Sequence, residues 1–382
     1  MPRVEKFLSL DIRPDRTSGL YFEFTRDRVI RIEKFEPQID LAKFLKAPSH
    51  RAAQASWEGK YFFAGRRKIV AAADPSLTTT IPIPFAYRRE PTRHDRPLSI
   101  DELDDQIAQA LPKILTQCRI EVAKRLSVEP VETVLVGARA SHVTVDGKPT
   151  AHPAGFLGKE VALALELTFA RRDIFESFRA LFNAPEPFFF FESPDAITRL
   201  LSSIRPLPIN LIADGGVFVL QAVKNGQPVL YREKFPWAFD AILHSIEEAH
   251  TVSRLAAEDM YRAFVSRDLS PSAERHIGGI VAPFVETFFA LTQKAKLHGA
   301  TFCLTPHPMP FPMPHREVTT TIEEIPLAEI LRKFDVTLVP GPLAARPDLL
   351  LRHLAPFLLM YFDGTQGALN ERLRKKVHWL TG

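Results

Sequence analysis

Residues 210–235, NLIADGGVFVLQAVKNGQPVLYREKF, decide the fold. Their apolar start predicts a buried strand that ends at Asp214, and the two glycines that follow predict a tight turn into a second strand. A Lys-Asn-Gly-Gln turn then leads to a third strand. Adjacent glycines after a strand also let a backbone approach a phosphate, although an Asp-Gly-Gly run is more often an ordinary hairpin turn. The stretch therefore predicts a three-stranded opening of a sheet and leaves phosphate binding as a hypothesis.

The same opening occurs at the start of the chain. Residues 6–35 are predicted to form three strands, and apolar and polar side chains alternate at positions 20–25, as in a half-buried strand. Asp11 ends the first of these strands, as Asp214 does in the later stretch. Two related openings predict two related lobes, whose facing hairpins can hold the phosphates of a nucleotide.

Length and composition fit a soluble, multi-lobed chain. Its 382 residues are too many for one small core, and its hydrophobic and charged fractions of 46% and 25% are ordinary for a globular protein. The net charge of +4 is mild, so nucleic acid is not an expected partner. Cys118 and Cys303 form neither a metal motif nor a disulfide framework, and the charged N-terminal segment does not match a secretory signal. We expect a cytoplasmic location.

A compact α+β unit is predicted over residues 80–185. A capping box at Ser99 starts a helix, which Pro112 is expected to kink or break. Strands are predicted at 131–136, 141–145 and 161–169.

The second half of the chain is predicted to be mostly helical over 237–297 and 348–361, with short strands at 300–304 and 335–339. Between them lies the proline-rich segment 305–314. The histidines near it lack Cys or carboxylate partners at ligand spacing, so no metal site is predicted.

The last residues form a basic amphipathic pattern. ALNERLRKKVHWLTG follows a break at 363–367 and places an apolar stripe beside Arg and Lys. Such a helix either lies at a membrane surface or packs on the protein itself. The candidate membrane-contacting residues are Leu369, Leu373, Val377, Trp379 and Leu380.

This layout resembles the FtsA-like bacterial cell-division proteins of the actin-like ATPase superfamily, over nearly the whole chain. The most specific matches are PLSIDELDDQIAQAL at 97–111 and VTVDGKPTAHPAGFLGKEVALALELTFA at 143–170, which resemble the family's inserted subdomain. Residues 210–235 resemble its second phosphate segment. The resemblance implies an α/β, two-lobed actin-like (ribonuclease H-like) ATPase fold with an inserted small α+β subdomain.

The same resemblance implies a division of the chain into domains. The first lobe is expected at 1–79 and 186–208, the inserted subdomain at 80–185, the second lobe at 209–345, a closing helix at 346–362, and a linker with the basic helix at 363–382.

The nucleotide-binding segments depart from the family pattern. Arg13 and Pro14 replace a glycine and its hydroxyl neighbour, and Ser18 stands where a lysine is expected. Ala213 takes the usual acidic position, and 305–314 has no glycine where a glycine-rich turn should lie. A bulky side chain and a proline without an N–H are unsuited to a backbone phosphate cradle. We therefore expect Arg13 and the proline-rich segment 305–314 to fill this site, with Arg13 supplying the positive charge. The remaining nucleotide-binding positions are then relicts, namely Asp11, Asp214, Gly215 and Gly216.

By resemblance, the chain is predicted to be a non-catalytic scaffold or adaptor in cell division that tethers division proteins at the inner face of the cytoplasmic membrane. The implied partner is an FtsZ-like filament tail that docks near 237–297, and self-assembly through the inserted subdomain is also implied. No cofactor is then expected. Two alternatives stay open. One is a working ATPase that holds ATP and magnesium through Asp11 and Asp214, and the other is an adaptor similar to the pilus-assembly protein PilM.

Overall fold

The structure is a computed structural model. It describes residues 4–40, 67–150, 152–182, 188–213, 216–222, 228–234, 237, 239–304, 322–339, 341, 343, 347–362 and 368–381. The chain divides into two compact units. The first comprises Met1–Leu200, Leu331–Ala345 and Leu350–Gly382, and the second comprises Leu201–Ile330 and Arg346–Leu349.

The first unit is built on a six-stranded sheet. Its strands are β1 (Glu5–Ile12), β2 (Thr17–Phe24), β3 (Val29–Glu36), β4 (Arg67–Ala73), β9 (Phe189–Glu192) and β15 (Thr337–Val339), in the order β15-β3-β2-β1-β4-β9. β1, β2 and β3 pair antiparallel, whereas β4 pairs parallel to β1 and β9 parallel to β4. Because β15 pairs with β3, the prediction that the second lobe extends to residue 345 is wrong for residues 331–345.

An α+β subdomain is inserted between β4 and β9. Its sheet contains β5 (Thr78–Arg88), β6 (Thr133–Val145), β7 (Lys148–Pro149) and β8 (Glu160–Arg171), in the order β5-β8-β6-β7. One long helix, α1 (Ile100–Leu126), packs on this sheet, and α2 (Arg172–Phe182) and α3 (Ser193–Ser202) follow along the chain.

The predicted break at Pro112 is wrong, whereas a kink at this position stays a prediction. The helix continues through Pro112, because α1 buries a long apolar stripe whose packing offsets the lost hydrogen bond. A second local prediction is also wrong. The two strands predicted at 131–136 and 141–145 are one strand, β6, with irregular register at Leu135/Gly137 and Ser141/Thr144. The predicted capping box is present in part, since the Ser99 side chain accepts a hydrogen bond from the Glu102 N–H at 3.0 Å.

The second unit repeats the strand order of the first. It contains β10 (Ile209–Ala213), β11 (Gly216–Ala222), β12 (Pro228–Lys234), β13 (Ala300–Leu304) and β14 (Ile322–Glu324), in the order β12-β11-β10-β13-β14. Helices α4 (Phe239–His250), α5 (Arg254–Ser266) and α6 (Pro271–Lys294) bury their apolar faces together beside this sheet. Helix α7 (Leu327–Lys333) follows.

Each unit thus contains five core strands, and when they are numbered along the chain within the unit their order in the sheet is 3-2-1-4-5. The first three strands are antiparallel and the last two are parallel to the first. This is the ribonuclease H-like arrangement of the actin-like ATPase fold, and the predicted fold class is confirmed.

Two helices end the chain, α8 (Pro347–Phe362) and α9 (Ala368–Thr381). The ring of Phe357 in α8 lies 4.8 Å from that of Phe7, 4.9 Å from that of Phe22 and 5.2 Å from that of Phe24, measured between centroids. These edge-to-face contacts fix α8 against β1 and β2. As a result, the residues of α8 about four positions before Phe357 lie next to the turn between β1 and β2.

Candidate functional site

The turn between β1 and β2 is the position of the first phosphate loop in the family that the sequence resembles. It consists of residues 13–16, and its backbone closes on itself because the Arg13 N–H donates to the Arg16 carbonyl oxygen at 2.8 Å. Pro14 has no N–H. Two of the four turn residues therefore offer no backbone donor to an anion.

Asp11 lies at the end of β1 and is buried, with 2% of its surface exposed. Its Oδ2 accepts a hydrogen bond from Arg13 Nε at 3.0 Å, and the Arg13 side chain is only 10% exposed. Burial alone would raise the pKa of Asp11, but the positive charges of Arg13 and Arg352, together with His353, hold that pKa below its ordinary value. The carboxylate is thus charged and already has an arginine partner.

His353 completes this arrangement from α8. Its Nδ1 lies 3.0 Å from the Ser9 carbonyl oxygen and its Nε2 lies 3.2 Å from Ser18 Oγ, while Ser9 Oγ donates to the His353 carbonyl oxygen at 2.7 Å. Because a carbonyl oxygen only accepts, Nδ1 carries the proton, and Nε2 of the neutral ring accepts from Ser18. Complete burial lowers the pKa of His353 to about 4.

These six residues form one connected group, the first-turn cluster: Ser9, Asp11, Arg13, Ser18, Arg352 and His353. Its charged members are one carboxylate and two guanidinium groups, so it carries a net positive charge with a neutral imidazole. The sequence predicts that Arg13 adds positive charge at this position, and the structure places it there, paired with Asp11. The part played by His353 was missed, because the ring reaches Ser9 and Ser18 from more than 330 residues away in sequence.

Part of the second predicted phosphate segment, including Asp214 and Gly215, lies outside the described residues. The proline-rich segment 305–314, where the glycine-rich turn was expected, also lies outside them. Gly216 is described and begins β11, where an added Cβ would lie 2.9 Å from the Phe218 ring. Packing against that ring is sufficient reason for a glycine at this position.

A second polar group, also missed from the sequence, lies between the inserted subdomain and α3. Glu166 in β8 accepts hydrogen bonds from Arg139 Nε at 2.7 Å and from Ser141 Oγ at 2.6 Å, and its Oε1 lies 2.9 Å from Arg199. Arg199 also donates to Asp195 Oδ1 at 2.7 Å. The sequence signal for this group is Glu166 itself, a glutamate in a largely apolar strand, on the strand face that carries small side chains.

This group pairs two carboxyl groups with two guanidinium groups. Burial opposes ionisation of Glu166, but the two guanidinium groups lower its pKa to about 2. Burial and the charge of Glu166 raise the pKa of Asp195, although the positive charge of Arg199 acts to lower it. The group borders a cavity of about 80 Å³ lined mainly by Phe188–Phe191 and by residues of β6, with further residues from β8, α8 and α9. We assign this group a structural role, since it joins β6 and β8 to α3 through paired charges.

The terminal helix α9 is packed on the protein. Leu369, Leu373 and Val377 are 6%, 1% and 4% exposed and belong to the core of the inserted subdomain. This contradicts their assignment as membrane-contacting residues and corresponds to the packed alternative. The side chains of Trp379 and Leu380 lie outside the described part of the helix.

Within the described ranges, no three His, Cys, Asp or Glu side chains are grouped in a way that would hold a metal ion. No helix in those same ranges is both long and apolar enough to cross a membrane.

Comparison with known proteins gave matches among solved structures. No protein-family model and no curated protein matched the chain. A chain of the PilM–PilN type IV pilus biogenesis complex is 12% identical, covering 97% of this chain and 98% of that one, with a TM-score of 0.47. The cytoplasmic domain of Epsl, an inner membrane component of the type II secretion system of Vibrio cholerae, is 9% identical, covering 96% and 100%, with a TM-score of 0.31. Ethanolamine utilization protein EutJ from Carboxydothermus hydrogenoformans is 10% identical, covering 92% and 90%, with a TM-score of 0.33.

Proposed function

We propose that this chain is a non-catalytic adaptor with an actin-like fold, which acts through protein partners and does not hydrolyse ATP. The observation that supports this proposal is the first-turn cluster. A nucleotide phosphate is normally bound by free backbone N–H groups at a glycine-rich turn. Here the Arg13 N–H is bonded within the turn and Pro14 has none to give.

The electrostatics support the same proposal. In a working ATPase, an acid at this strand end helps to hold magnesium or its water ligands, and it must be accessible to them. Asp11 is buried and paired with Arg13, so a metal ion would have to displace an internal guanidinium group. The positive charge that magnesium brings to an ATPase is supplied in this chain by its own arginines.

One observation favours the alternative of ATP binding. Asp11 Oδ1 accepts no hydrogen bond from the described residues, which leaves one carboxylate oxygen for a ligand. The two functions differ in what Asp11 does. As a metal-positioning acid, it is required for turnover. As a partner of Arg13, it is required only for stability.

A phosphate-release assay with ATP and magnesium separates these two functions. We expect no release above the buffer rate for wild type, for Asp11→Asn or for a double Arg13→Gly/Pro14→Ser variant. Release by wild type that Asp11→Asn abolishes, in a variant shown to be folded by circular dichroism, contradicts the proposal.

The kind of protein that the chain binds determines in which cellular process it acts. We propose a role in bacterial cell division, with an FtsZ-like filament tail as partner and a position at the inner face of the cytoplasmic membrane that is reached through partners. This follows from the sequence resemblance in the inserted subdomain. A pilus-assembly adaptor is the alternative. Affinity purification from cells distinguishes them, because the first function predicts co-purified division proteins and the second predicts membrane components of a pilus.

A further inference from the structure

The sheet of the inserted subdomain has a long outer edge at β5. This strand has 11 residues and pairs antiparallel with β8 along its whole length, in regular register. Within the described residues, no other strand pairs with β5. An unpaired strand side presents backbone N–H and C=O groups to which another chain can add a strand. A long free edge of this kind is therefore open to association unless a feature of the strand closes it.

The other edges of the three sheets, as far as the structure describes them, are short or charged. β15 and β14 have three residues each, β9 has four and β7 has two. β12 has seven residues and ends in the charged run Arg232, Glu233 and Lys234. Short strands and charged edges both oppose strand addition. β5 is the longest of these edges, and its residues 78–87, TTTIPIPFAY, include no charged side chain.

Backbone hydrogen bonds show which N–H groups of β5 point away from β8. The Arg89 N–H, directly after the strand, donates to the Lys159 carbonyl oxygen at 2.9 Å, on the side of β8. The Thr80 N–H points the other way and donates to Glu192 Oε2 at 2.5 Å. Because successive N–H groups alternate between the two sides of a strand, those of the even-numbered residues of β5 belong to its outer edge.

Two of these outer positions are prolines. Pro82 and Pro84 have no N–H, and the N–H of Thr80 is already bonded to Glu192. Three successive outer positions thus have no N–H to donate to an added strand. The pairing of β5 with β8 loses nothing, since the missing N–H groups would point away from β8.

We propose that Pro82 and Pro84 close the outer edge of β5 to strand addition, and that the strand they exclude is β5 of a second copy of this chain. Two copies of an uncharged strand can pair antiparallel about a two-fold axis without like charges meeting. With an N–H at every even-numbered position, the inserted sheet would continue from one chain into the next. The prolines remove these donors, so the self-assembly that the sequence resemblance implies for this subdomain uses another surface.

A full-length Pro82→Thr/Pro84→Thr variant tests this proposal. Threonine restores the N–H, favours strands and adds no charge. We expect the dissociation constant for self-association, measured by analytical ultracentrifugation, to be at least about 10-fold lower for this variant than for wild type. A folded variant, as judged by circular dichroism, that is as monomeric as wild type overturns the proposal.

The single variant Pro84→Thr keeps the test decisive if the double variant does not fold. Pro84 is exposed, so its replacement leaves the core unchanged. It restores one outer N–H in each chain, and we expect the dissociation constant to fall at least about 3-fold. No decrease in this folded variant contradicts the closure of the edge by proline.

Two controls separate the restored N–H groups from effects of the new side chains. Ala86→Thr adds the same side chain at an exposed outer position that already has an N–H, so its self-association should equal that of wild type. Association as strong as that of the double variant overturns the proposal. Adding Ala86→Lys to the double variant places a charge on the edge and should reverse most of the decrease in the dissociation constant. A value unchanged by the lysine contradicts edge pairing.

Hydrogen exchange followed by mass spectrometry locates the contact in the double variant. At concentrations at which this variant dimerises, the amides of residues 82–88 should exchange more slowly than in the dilute, monomeric sample. Dimers in which these amides exchange as fast as in the monomer are held by another surface, and that result overturns the proposal.

Discussion

The burial of His353 gives a quantitative prediction for pH. The ring is neutral in the folded chain, with a pKa of about 4, against 6.5 for an exposed histidine. As the pH falls below 6.5, the unfolded chain binds a proton that the folded chain does not, so the free energy of unfolding decreases. The loss from this one group is about 2 kcal/mol at pH 5 and about 3 kcal/mol at pH 4, and it levels off below pH 4.

The variant His353→Asn removes this titration and keeps an N–H close to the Ser9 carbonyl oxygen. We expect it to be less stable than wild type at pH 7 by about 1–3 kcal/mol, because one polar contact in the buried site is left without its partner. Between pH 7 and pH 5, however, it should lose about 2 kcal/mol less than wild type does. The two stability curves therefore converge as the pH falls.

Urea unfolding at pH 7, 6 and 5, followed by circular dichroism, measures both curves. Asp11 has a pKa below its ordinary value of 3.8, so it titrates below this pH range and contributes little to the difference between pH 7 and pH 5. His152 is exposed, so His152→Asn is the matched control, and we expect its curve to run parallel to that of wild type. If the His353→Asn curve also runs parallel to that of wild type from pH 7 to pH 5, the assignment of His353 as a neutral, buried imidazole is wrong.

Three further substitutions test separate parts of the structure by the shift that they cause in thermal unfolding. Glu166→Gln should destabilise by about 3–5 kcal/mol, since it leaves buried guanidinium groups without their carboxylate, and a loss below about 1 kcal/mol would contradict the buried pairing. Leu373→Ala should cost about 2–5 kcal/mol if α9 is packed in the core, whereas an unchanged midpoint would indicate that the helix lies free in solution. Gly299→Ala should destabilise the protein by at least about 1 kcal/mol, because Gly299 has a φ of +87° and an added Cβ would lie 2.2 Å from the Pro208 carbonyl oxygen. A variant as stable as wild type would refute that close approach.

The sequence was sufficient to predict the core of both units. Alternation at positions 20–25 and the apolar run before Asp214 are local signals, and each strand in those stretches is held by its neighbour in sequence. β15 was assigned to the wrong unit because it pairs with β3, some 300 residues earlier, and nothing in its three residues indicates that partner. A strand's partner depends on the tertiary fold, whereas its existence depends on local pattern.

The same distinction explains the errors at Pro112 and in the terminal helix. The local rule that proline breaks a helix was outweighed by the burial of Leu103, Ile107 and Leu111 on one side of Pro112 and of Leu115 and Val122 on the other.

The amphipathic pattern of α9 predicted an apolar face correctly but did not specify what covers it. The inserted subdomain covers it, and the two acidic residues of α1 that meet its basic residues lie about 270 positions earlier.

Only part of the candidate site can be predicted from the sequence. The replacement of glycine by Arg13 and Pro14 is visible in sequence and predicts a turn unsuited to phosphate. The ion pair between Arg13 and Asp11 is a finding of the structure and is not predicted by the sequence. The neutral state of His353 is not predicted either, because its pKa is lowered by burial, which depends on the packing of α8 on β1 and β2.

Isothermal titration calorimetry of the wild-type chain with ATP and magnesium tests the central claim most directly, namely that the first-turn cluster is a closed polar site and not a nucleotide site. We predict no saturable heat up to about 1 mM nucleotide, and the same result for Asp11→Asn. Saturable binding with a Kd below about 0.1 mM that Asp11→Asn abolishes, in a variant that remains folded, would contradict the account.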